Sequence, residues 1–227
     1  MLVTAGPTRE RIDPVRYLSN DSSGLMGFAI AEAARAAGHE VVLVAGPVEL
    51  ATTRGVKRVD VESAREMLAA VREEFEACDA LFMAAAVCDF RPARRLGGKW
   101  RKKDVGQERA SLELVSNPDI LKSVTRRKGD RLVDGFARET GDGLRRAMEK
   151  LNEKRMDYVV LNGPSALNAA KTTVTILGRD GSRRRLPDRT KRSVAKVPVG
   201  LRSGSADRRA GSPPPRGPLA PGHPLGD

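Results

Sequence analysis

Short apolar segments alternate with amphipathic segments along most of the sequence, and this alternation constrains the fold more than any other feature. Residues 40–45 (EVVLVA) and 80–85 (ALFMAA) have the continuous apolar character of strands buried on both faces of a sheet. Between them, residues 61–78 place apolar side chains on one stripe at helical spacing. Strands that alternate with helices predict an α/β fold with a Rossmann-like, doubly wound and mostly parallel sheet.

The remaining elements follow from the same periodicity. Strands are predicted at residues 2–5, 111–115, 131–136 and 157–161, and helices at residues 24–37, 142–154 and 190–196. A further helix is predicted after Asn117, with Asn117 as its N-cap and Pro118 in its first position. Residues 172–177 and 184–186 flank Asp180-Gly181, a dipeptide typical of tight turns, which predicts a C-terminal antiparallel hairpin addition.

Composition divides the chain into two regions. Residues 1–197 carry the alternating pattern and are expected to form one domain. Residues 198–227 contain seven prolines and six glycines and almost no large apolar side chain. Such a segment buries too little surface to offset the entropy of ordering it, so we expect a disordered tail without an assigned function.

Charge and composition exclude several classes of protein. The net charge is +12, but the basic clusters are short and scattered and only 4% of residues are aromatic, so we expect no nucleic-acid partner. A basic nucleic-acid-binding module would require one coherent basic face. No apolar run approaches the length of a membrane span, and the first residues do not resemble a signal peptide, which favours a cytoplasmic protein without membrane contact.

The few cysteines and histidines suggest no metal or disulfide chemistry. Cys78 and Cys88 fit neither a disulfide scaffold nor a zinc site and are expected to be reduced thiols. His39 and His223 have no ligand or triad partner at useful spacing, so both are expected at the surface. The ligands of any metal stay unknown at this stage.

The connection after the first strand is unusually rich in small polar residues (residues 16–27, RYLSNDSSGLMG). In a doubly wound sheet, ligands bind beyond the carboxyl ends of the strands, where this connection lies. Ser22, Ser23 and Gly24 could let backbone N–H groups approach a phosphate at a helix N-terminus. By local pattern alone, an ordinary capped helix explains the same residues equally well.

A nicotinamide-dependent oxidoreductase is a second possibility for such a fold. That class requires a G-x-G-x-x-G turn after the first strand and an acidic residue that closes the second strand. Neither is present, because the second predicted strand runs into Gly46-Pro47.

One long motif resembles a known family. TAGPTRERIDPVRYLSNDSSGLMG (residues 4–27) closely resembles the phosphopantothenate–cysteine ligase family, also called phosphopantothenoylcysteine synthetase. Four further family-like blocks follow in order: AAAVCDFRP (84–92), KWRK (99–102), NPDIL (117–121) and GFARET (135–140). The resemblance extends from residue 2 to about residue 197. The chain departs from the family pattern at Cys88, Arg101, Arg138 and Gly163.

The resemblance implies a ligase of coenzyme A biosynthesis that joins 4′-phosphopantothenate to L-cysteine. In bacterial members CTP activates the carboxylate as an acyl-cytidylate, whereas eukaryotic members usually use ATP; magnesium and a homodimer are also implied. Family domains are often fused behind a flavin-dependent decarboxylase, which does not precede Met1 here. We therefore expect no flavin in this chain and a decarboxylase partner domain on a separate or longer chain. An inactive nucleotide-binding paralogue is the alternative.

The resemblance also implies the site residues. A carboxylate and a triphosphate repel each other, so the site must neutralise charge and align the groups. Asn20 corresponds to the family asparagine that holds the acyl-cytidylate, Lys99 to a triphosphate cation and Arg16 to a ligand of an anionic end of the substrate. Lys102 and Lys103 are further candidate cations. The other implied nucleotide-binding residues are Ser22, Ser23, Gly24, Met83, Ala84, Ala85, Ala86, Asp89, Asn117, Pro118, Asp119, Ile120, Phe136, Lys150 and Lys154.

Each implied residue also has a purely structural interpretation. Asn20 could be an N-cap, Arg16 could pair with Asp13, and Phe136 could belong to the core. Lys150 and Lys154 lie four residues apart, as on an ordinary solvated helix face.

Overall fold

The computed structural model describes residues 1–102, 109–138, 142–162 and 171–210. The strands of these residues are β1 (Leu2–Ala5), β2 (Arg9–Arg11), β3 (Tyr17–Ser19), β4 (Val42–Ala45), β5 (Lys57–Asp60), β6 (Ala80–Met83), β7 (Phe90–Pro92), β8 (Leu114–Ser116), β9 (Leu132–Arg138), β10 (Tyr158–Asn162), β11 (Lys171–Gly178) and β12 (Arg183–Thr190). The helices are α1 (Leu25–Ala36), α2 (Ala64–Phe75), α3 (Ile120–Thr125), α4 (Gly143–Glu153) and α5 (Lys191–Ala210). Within the described part, no helix combines the length and apolar character needed to cross a membrane.

An eight-stranded sheet forms the centre of the fold, in the order β12-β11-β10-β9-β6-β1-β4-β5. Six neighbouring strands of this sheet are parallel, namely β10, β9, β6, β1, β4 and β5. Beside β10, the strands β11 and β12 continue the sheet as an antiparallel pair. The predicted mostly parallel α/β fold with a C-terminal hairpin is confirmed. Because the chain proceeds outward from β1 in both directions, a crevice is expected at the carboxyl ends of β1 and β6.

The central strands are buried because helices cover both faces of the sheet. On one face, Met67 and Val71 of α2 and Leu151 of α4 pack in the same apolar cluster. On the other face, Ile30 of α1 and Val199 of α5 pack against the sheet. Continuous apolar strands such as β1 and β6 are therefore a direct consequence of this two-sided cover.

Several elements differ from the sequence-based expectations. β5 was not predicted, because Lys57–Asp60 is a polar edge strand that only its pairing with β4 defines. The strand predicted at residues 111–115 is β8, which pairs with β7 outside the main sheet. β2 and β3 form another small two-stranded sheet within the long connection after β1. Such three-residue strands depend on tertiary pairing and carry little periodic signal.

The last helix is longer than predicted. α5 continues from Lys191 to Ala210 and so includes residues that composition placed in the tail. Pro198 lies inside the helix, and Val199 is only 3% exposed in the cluster that includes α1. Six of the seven prolines fall in residues 211–227, which lie outside the described residues. The average composition of the segment concealed its helical first part.

Gly27 in α1 provides a test of how tightly this helix packs on the sheet. A Cβ at residue 27 would lie 2.5 Å from the Cβ of Ala5 and 2.7 Å from the carbonyl oxygen of Thr4. We expect Gly27→Ala to lower the free energy of unfolding by about 1–3 kcal/mol, because the helix must move away from β1. Gly200→Ala is the matched control, since nothing lies within 4 Å of its added Cβ.

Urea denaturation of both variants measures this difference. The control should be neutral or slightly stabilising, because alanine favours the helical state by up to about 1 kcal/mol over glycine. Equal effects of the two substitutions would contradict the close contact between α1 and β1.

Candidate active site

A cavity of about 590 Å³ opens where β6 and β10 end. Its walls come from three continuous segments, residues 20–26, 83–89 and 117–121, which follow β3, end β6 and begin α3. The remaining lining residues are Phe136, Ala137, Lys150, Lys154, Asn162 and Lys191. The cavity therefore occupies the crevice that the strand order predicts.

The small polar connection forms one wall and leads into an uncapped helix. Gly24 is the N-cap of α1 with φ of 76°, a conformation that glycine adopts without strain. Among the described residues, no side chain caps the first N–H groups of α1, and the first turn of the helix holds no acidic residue. Backbone N–H groups and the positive end of the helix dipole are thus available to an anion in the cavity.

Asn20 is anchored across the cavity floor rather than to the helix. Its side-chain Nδ2 donates to the carbonyl oxygen of Ala86 at 3.0 Å and lies 3.8 Å from Cys88 Sγ. The N-cap of α1 is Gly24, so the N-cap interpretation of Asn20 is wrong. The amide is instead held at the edge of the cavity by the segment that follows β6.

The segment after β6 is fixed by the loop after β1. Ala85 N–H donates to Thr4 Oγ1 at 3.1 Å, and Ala86 N–H donates to the carbonyl oxygen of Gly6 at 2.9 Å. In return, Thr8 N–H donates to the carbonyl oxygen of Ala86 at 3.1 Å. Thr4 and Thr8 are fully buried, so the predicted nucleotide-contacting backbone at Met83, Ala84, Ala85 and Ala86 has a rigid support.

Cys88 contributes to the same support. Its N–H donates to Thr8 Oγ1 at 3.0 Å, and its thiol is buried beside the carbonyl oxygen of Thr8. Burial raises the pKa of the Cys88 thiol, so it is neutral at physiological pH. The departure from the family alanine therefore places a protonated sulfur below Asn20.

The start of α3 corrects one expectation. The helix begins at Ile120 with Asp119 as its N-cap, not with Asn117, and the Asp119 carboxylate accepts from Lys122 N–H at 3.0 Å. Asn117 instead bonds to the segment after β6. Its Nδ2 donates to the carbonyl oxygen of Cys88 at 2.9 Å, and its backbone N–H donates to the carbonyl oxygen of Asp89 at 2.7 Å. Local spacing could not reveal this, because the partners of Asn117 lie in another segment.

Two lysines at the end of α4, Lys150 in its last turn and Lys154 as its C-cap, line the cavity and have protein partners. Lys150 Nζ donates to the carbonyl oxygen of Phe136 at 3.2 Å, and Lys154 Nζ lies 2.9 Å from Asp119 Oδ2. Partial burial of Asp119 raises its pKa, but the backbone N–H of Lys122 and the ammonium of Lys154 outweigh this effect and hold the pKa below its ordinary value. Neither lysine belongs to a simply solvated face, because both are half-buried in the cavity wall.

Phe136 and Asp89 complete the predicted set in the cavity. Phe136 is half-buried and packs against the apolar clusters on its side of the sheet while also lining the cavity. Asp89 is exposed at the cavity rim. No group of three or more His, Cys, Asp or Glu side chains in the described ranges could hold a metal ion.

Arg16 and Lys99 do not line the cavity. Arg16 Nη1 forms the ion pair with Asp13 Oδ2 at 2.9 Å that the structural interpretation expected, and it also donates to the carbonyl oxygen of Trp100. Lys99, beside Trp100, is exposed. The structure thus brings these two predicted residues near each other but apart from the other site residues.

Some expectations fall on residues that the structure does not describe. Lys103, Gly163 and the last two residues of the GFARET block lie outside the described ranges. Lys102 is described and exposed.

The structure adds residues that sequence reasoning missed. Asn162 lines the cavity at the end of β10, and its buried Oδ1 has no hydrogen-bond partner among the described atoms. Its position at a strand's carboxyl end was the signal that could have identified it. Lys191 is the first residue of α5, directly after the β11–β12 hairpin, and it lines the cavity. No local pattern marks Lys191, because only the length of β11 and β12 brings it there.

Comparison with known proteins agrees with this geometry. The family model "DNA/pantothenate metabolism flavoprotein C-terminal domain" matches residues 1–199. The coenzyme A biosynthesis bifunctional protein CoaBC of Bacillus subtilis is 40% identical over 200 residues, which are 86% of this chain and 48% of that protein. The CoaBC protein of Escherichia coli K12 is 41% identical over 188 residues, or 81% of this chain and 46% of its own length. The chain spans about half the length of these curated relatives.

A solved structure gives the same assignment. The crystal structure of the C-terminal domain of a coenzyme A biosynthesis bifunctional protein CoaBC has 39% sequence identity and a TM-score of 0.79, and the match covers 91% of this chain and 95% of that one. The expected resemblance is therefore confirmed over nearly the whole domain. The chain belongs to the family of DNA/pantothenate metabolism flavoprotein C-terminal domains, the family of the CoaBC synthetase domain.

Proposed function

We propose that the chain is a phosphopantothenate–cysteine ligase of coenzyme A biosynthesis that uses CTP. The observation that supports this most strongly is one cavity that is lined by Asn20, by the residues at the N-terminus of α1, and by Lys150 and Lys154. Such a cavity suits a polyphosphate and an acyl group together. The relatives that match the chain are coenzyme A biosynthesis proteins.

In the first step, the carboxylate of 4′-phosphopantothenate attacks the α-phosphorus of CTP. A new bond forms between carboxylate oxygen and phosphorus, the bond to the β-phosphate oxygen breaks, and pyrophosphate leaves. The repulsion between the two anions is the main barrier, so fixed positive charge is the principal requirement. Within the cavity, the backbone N–H of Ser23, the N-terminal end of α1 and the ammonium group of Lys150 would supply it. Lys99 would have to reach the triphosphate from its segment outside the cavity.

In the second step, the amine of cysteine attacks the acyl carbon, the amide bond forms, and CMP leaves as the amine loses its proton. Asn20 is suited to hold the acyl-cytidylate, because the carbonyl oxygen of Ala86 already fixes its orientation. Its other N–H meets only the distant Cys88 sulfur, a weak acceptor, and can turn to a phosphoryl or acyl oxygen.

The nucleoside would lie against the part of the cavity wall that includes Phe136. Phe136 offers a ring face for the base or ribose, and Asp89 and the backbone of residues 83–86 and 117–120 offer polar contacts. Magnesium would enter as part of the nucleotide substrate, because Mg²⁺ in such sites is held mostly by phosphate oxygens and water. The ligase step needs no flavin, and we place the reaction in the cytoplasm, with a flavin-dependent decarboxylase as a partner domain on a separate or longer chain.

The direct test combines the chain with 4′-phosphopantothenate, cysteine, magnesium and either CTP or ATP, and measures released pyrophosphate. We expect release with CTP and a loss of about 10²–10³-fold in kcat for Lys99→Gln, because a cation on the triphosphate is removed. Lys57→Gln is the matched control, since Lys57 lies on β5 and pairs with Glu74 of α2. No turnover with either nucleotide would favour the inactive paralogue.

A second variant separates the two chemical steps. Asn20→Asp keeps the side-chain size but replaces a donor with a negative charge beside the acyl phosphate. We expect phosphopantothenoylcysteine formation to slow by about tenfold or more beyond any effect on pyrophosphate release, the cost of losing a hydrogen bond to a charged group.

Rapid-quench measurement of both products tests this expectation, with Asn152→Asp on the exposed side of α4 as the control. The role of Asn20 would be refuted if pyrophosphate and product slowed equally.

We also propose that the chain is a homodimer. Val15, Tyr17, Phe90 and Leu114 are between 40% and 57% exposed on or beside the two small sheets, an unusual concentration of large apolar side chains. β2 and β7 are in contact, so the two small sheets that carry these side chains are neighbours in the described part of the chain.

If this apolar surface is the dimer interface, one charged residue introduced into it should weaken the dimer. Leu114→Asp should shift the chain toward monomer in analytical ultracentrifugation, because a carboxylate would be buried without a partner. Leu144→Asp on α4 introduces the same charge at a leucine of similar exposure and should leave the mass unchanged. A wild-type chain that sediments as a monomer at micromolar concentration would refute the dimer.

A further inference from the structure

Asp13 is a buried carboxylate with all its acceptor positions filled. Oδ1 accepts from the backbone N–H groups of Val15 and Arg16, both at 2.7 Å. Oδ2 accepts from Arg16 Nη1 and from the backbone N–H of Trp100, both at 2.9 Å. A carboxylate offers about four lone-pair directions, so these four bonds saturate it. The side chain itself has no exposed surface.

The two oxygens have different tasks. Oδ1 closes a local turn within the DPVR sequence, whereas Oδ2 reaches Trp100, which is 87 residues away along the chain. A second long-range bond, from Leu96 N–H to the carbonyl oxygen of Ile12 at 2.8 Å, lies close to the first along both segments. Asp13 thus joins the segment that carries Lys99 to the turn that carries Arg16.

The carboxylate is a stable anion. The N–H of Trp100 makes the largest contribution to lowering the pKa of Asp13, and with the Val15 and Arg16 donors it outweighs the opposing effect of burial. Among the described groups, the charged group that faces the Asp13 carboxylate is the Arg16 guanidinium. Asp13 therefore stays ionised at every pH at which the enzyme would work.

We propose that Asp13 is a positioning residue that fixes Lys99 and Arg16 for the anionic groups of the substrates. This proposal rests on the proposed function, in which Lys99 binds the triphosphate and Arg16 binds an anionic end of phosphopantothenate. Arg16 is 46% exposed and donates to Asp13 through one terminal nitrogen, so its other N–H groups can meet an anion. A pre-oriented guanidinium loses less entropy on binding than a free one.

Asp13→Asn tests the proposal with a near-isosteric change. The amide oxygen can keep the local turn, but the amide nitrogen must then face two donors, Trp100 N–H and Arg16 Nη1. The long-range bond is lost while the turn is kept. Trp100 is the single tryptophan of the chain, so its fluorescence anisotropy reports directly on the released segment.

We expect Asp13→Asn to lower Trp100 anisotropy and to raise KM for CTP and for phosphopantothenate by about tenfold each, with a smaller change in kcat. Glu62→Gln is the matched control, because it breaks the ion pair with Arg11 without touching Trp100. Unchanged KM values in an Asp13→Asn enzyme with a mobile Trp100 would overturn the proposal, whereas an inactive wild-type chain would refute the ligase function instead.

A measurement on the wild-type chain covers the case in which the variant does not fold. Hydrogen exchange should show the Trp100 amide protected at neutral pH, although Lys99 beside it is exposed. Rapid exchange at Trp100 in a folded chain would show that Asp13 does not hold the segment, and would overturn the proposal without any assay of activity.

Discussion

The geometry of the candidate site depends on hydrogen bonds that join the loop after β1 to the segment after β6. β1 and β6 lie side by side at the point where the strand order reverses. Hydrogen bonds between the segments that follow these two strands keep the segments together. Thr4, Gly6 and Thr8 form these bonds with Ala85, Ala86 and Cys88, and Ala86 in turn holds the amide of Asn20. The floor of the cavity is therefore built from backbone and buried hydroxyl groups that cannot easily move.

The charges of the site are arranged around this rigid floor in two groups. Within the cavity, positive charge comes from half-buried lysines, such as Lys154 paired with Asp119, and partial positive charge comes from the backbone N–H groups at the start of α1. Outside the cavity, Arg16 and the Lys99 segment meet at Asp13. A reaction between two anions requires charge that is already in place when they arrive, because reorganising charge during the reaction raises the barrier. Partnered cations meet that requirement better than free ones.

The apolar pattern predicted the sheet, because buried parallel strands have a strong apolar signature, and the resemblance to the ligase family named most of the residues that line the cavity. Sequence reasoning failed where a residue's partner is distant. Asn117 suggested an N-cap locally, but its side chain bonds to Cys88, and Lys191 reaches the cavity only through the hairpin. The polar strand β5 and the part of α5 that follows residue 197 likewise depend on packing against neighbouring elements. The family-like motifs predicted Arg16 and Lys99 as site residues but could not show that both lie outside the cavity lining.

A crystal structure of the chain with bound CTP and magnesium tests the central claim most directly. The account predicts that the phosphates lie within hydrogen-bond distance of the first N–H groups of α1 and of Asn20, with the base beside Phe136. A nucleotide bound elsewhere on the molecule, with this cavity empty, would contradict it.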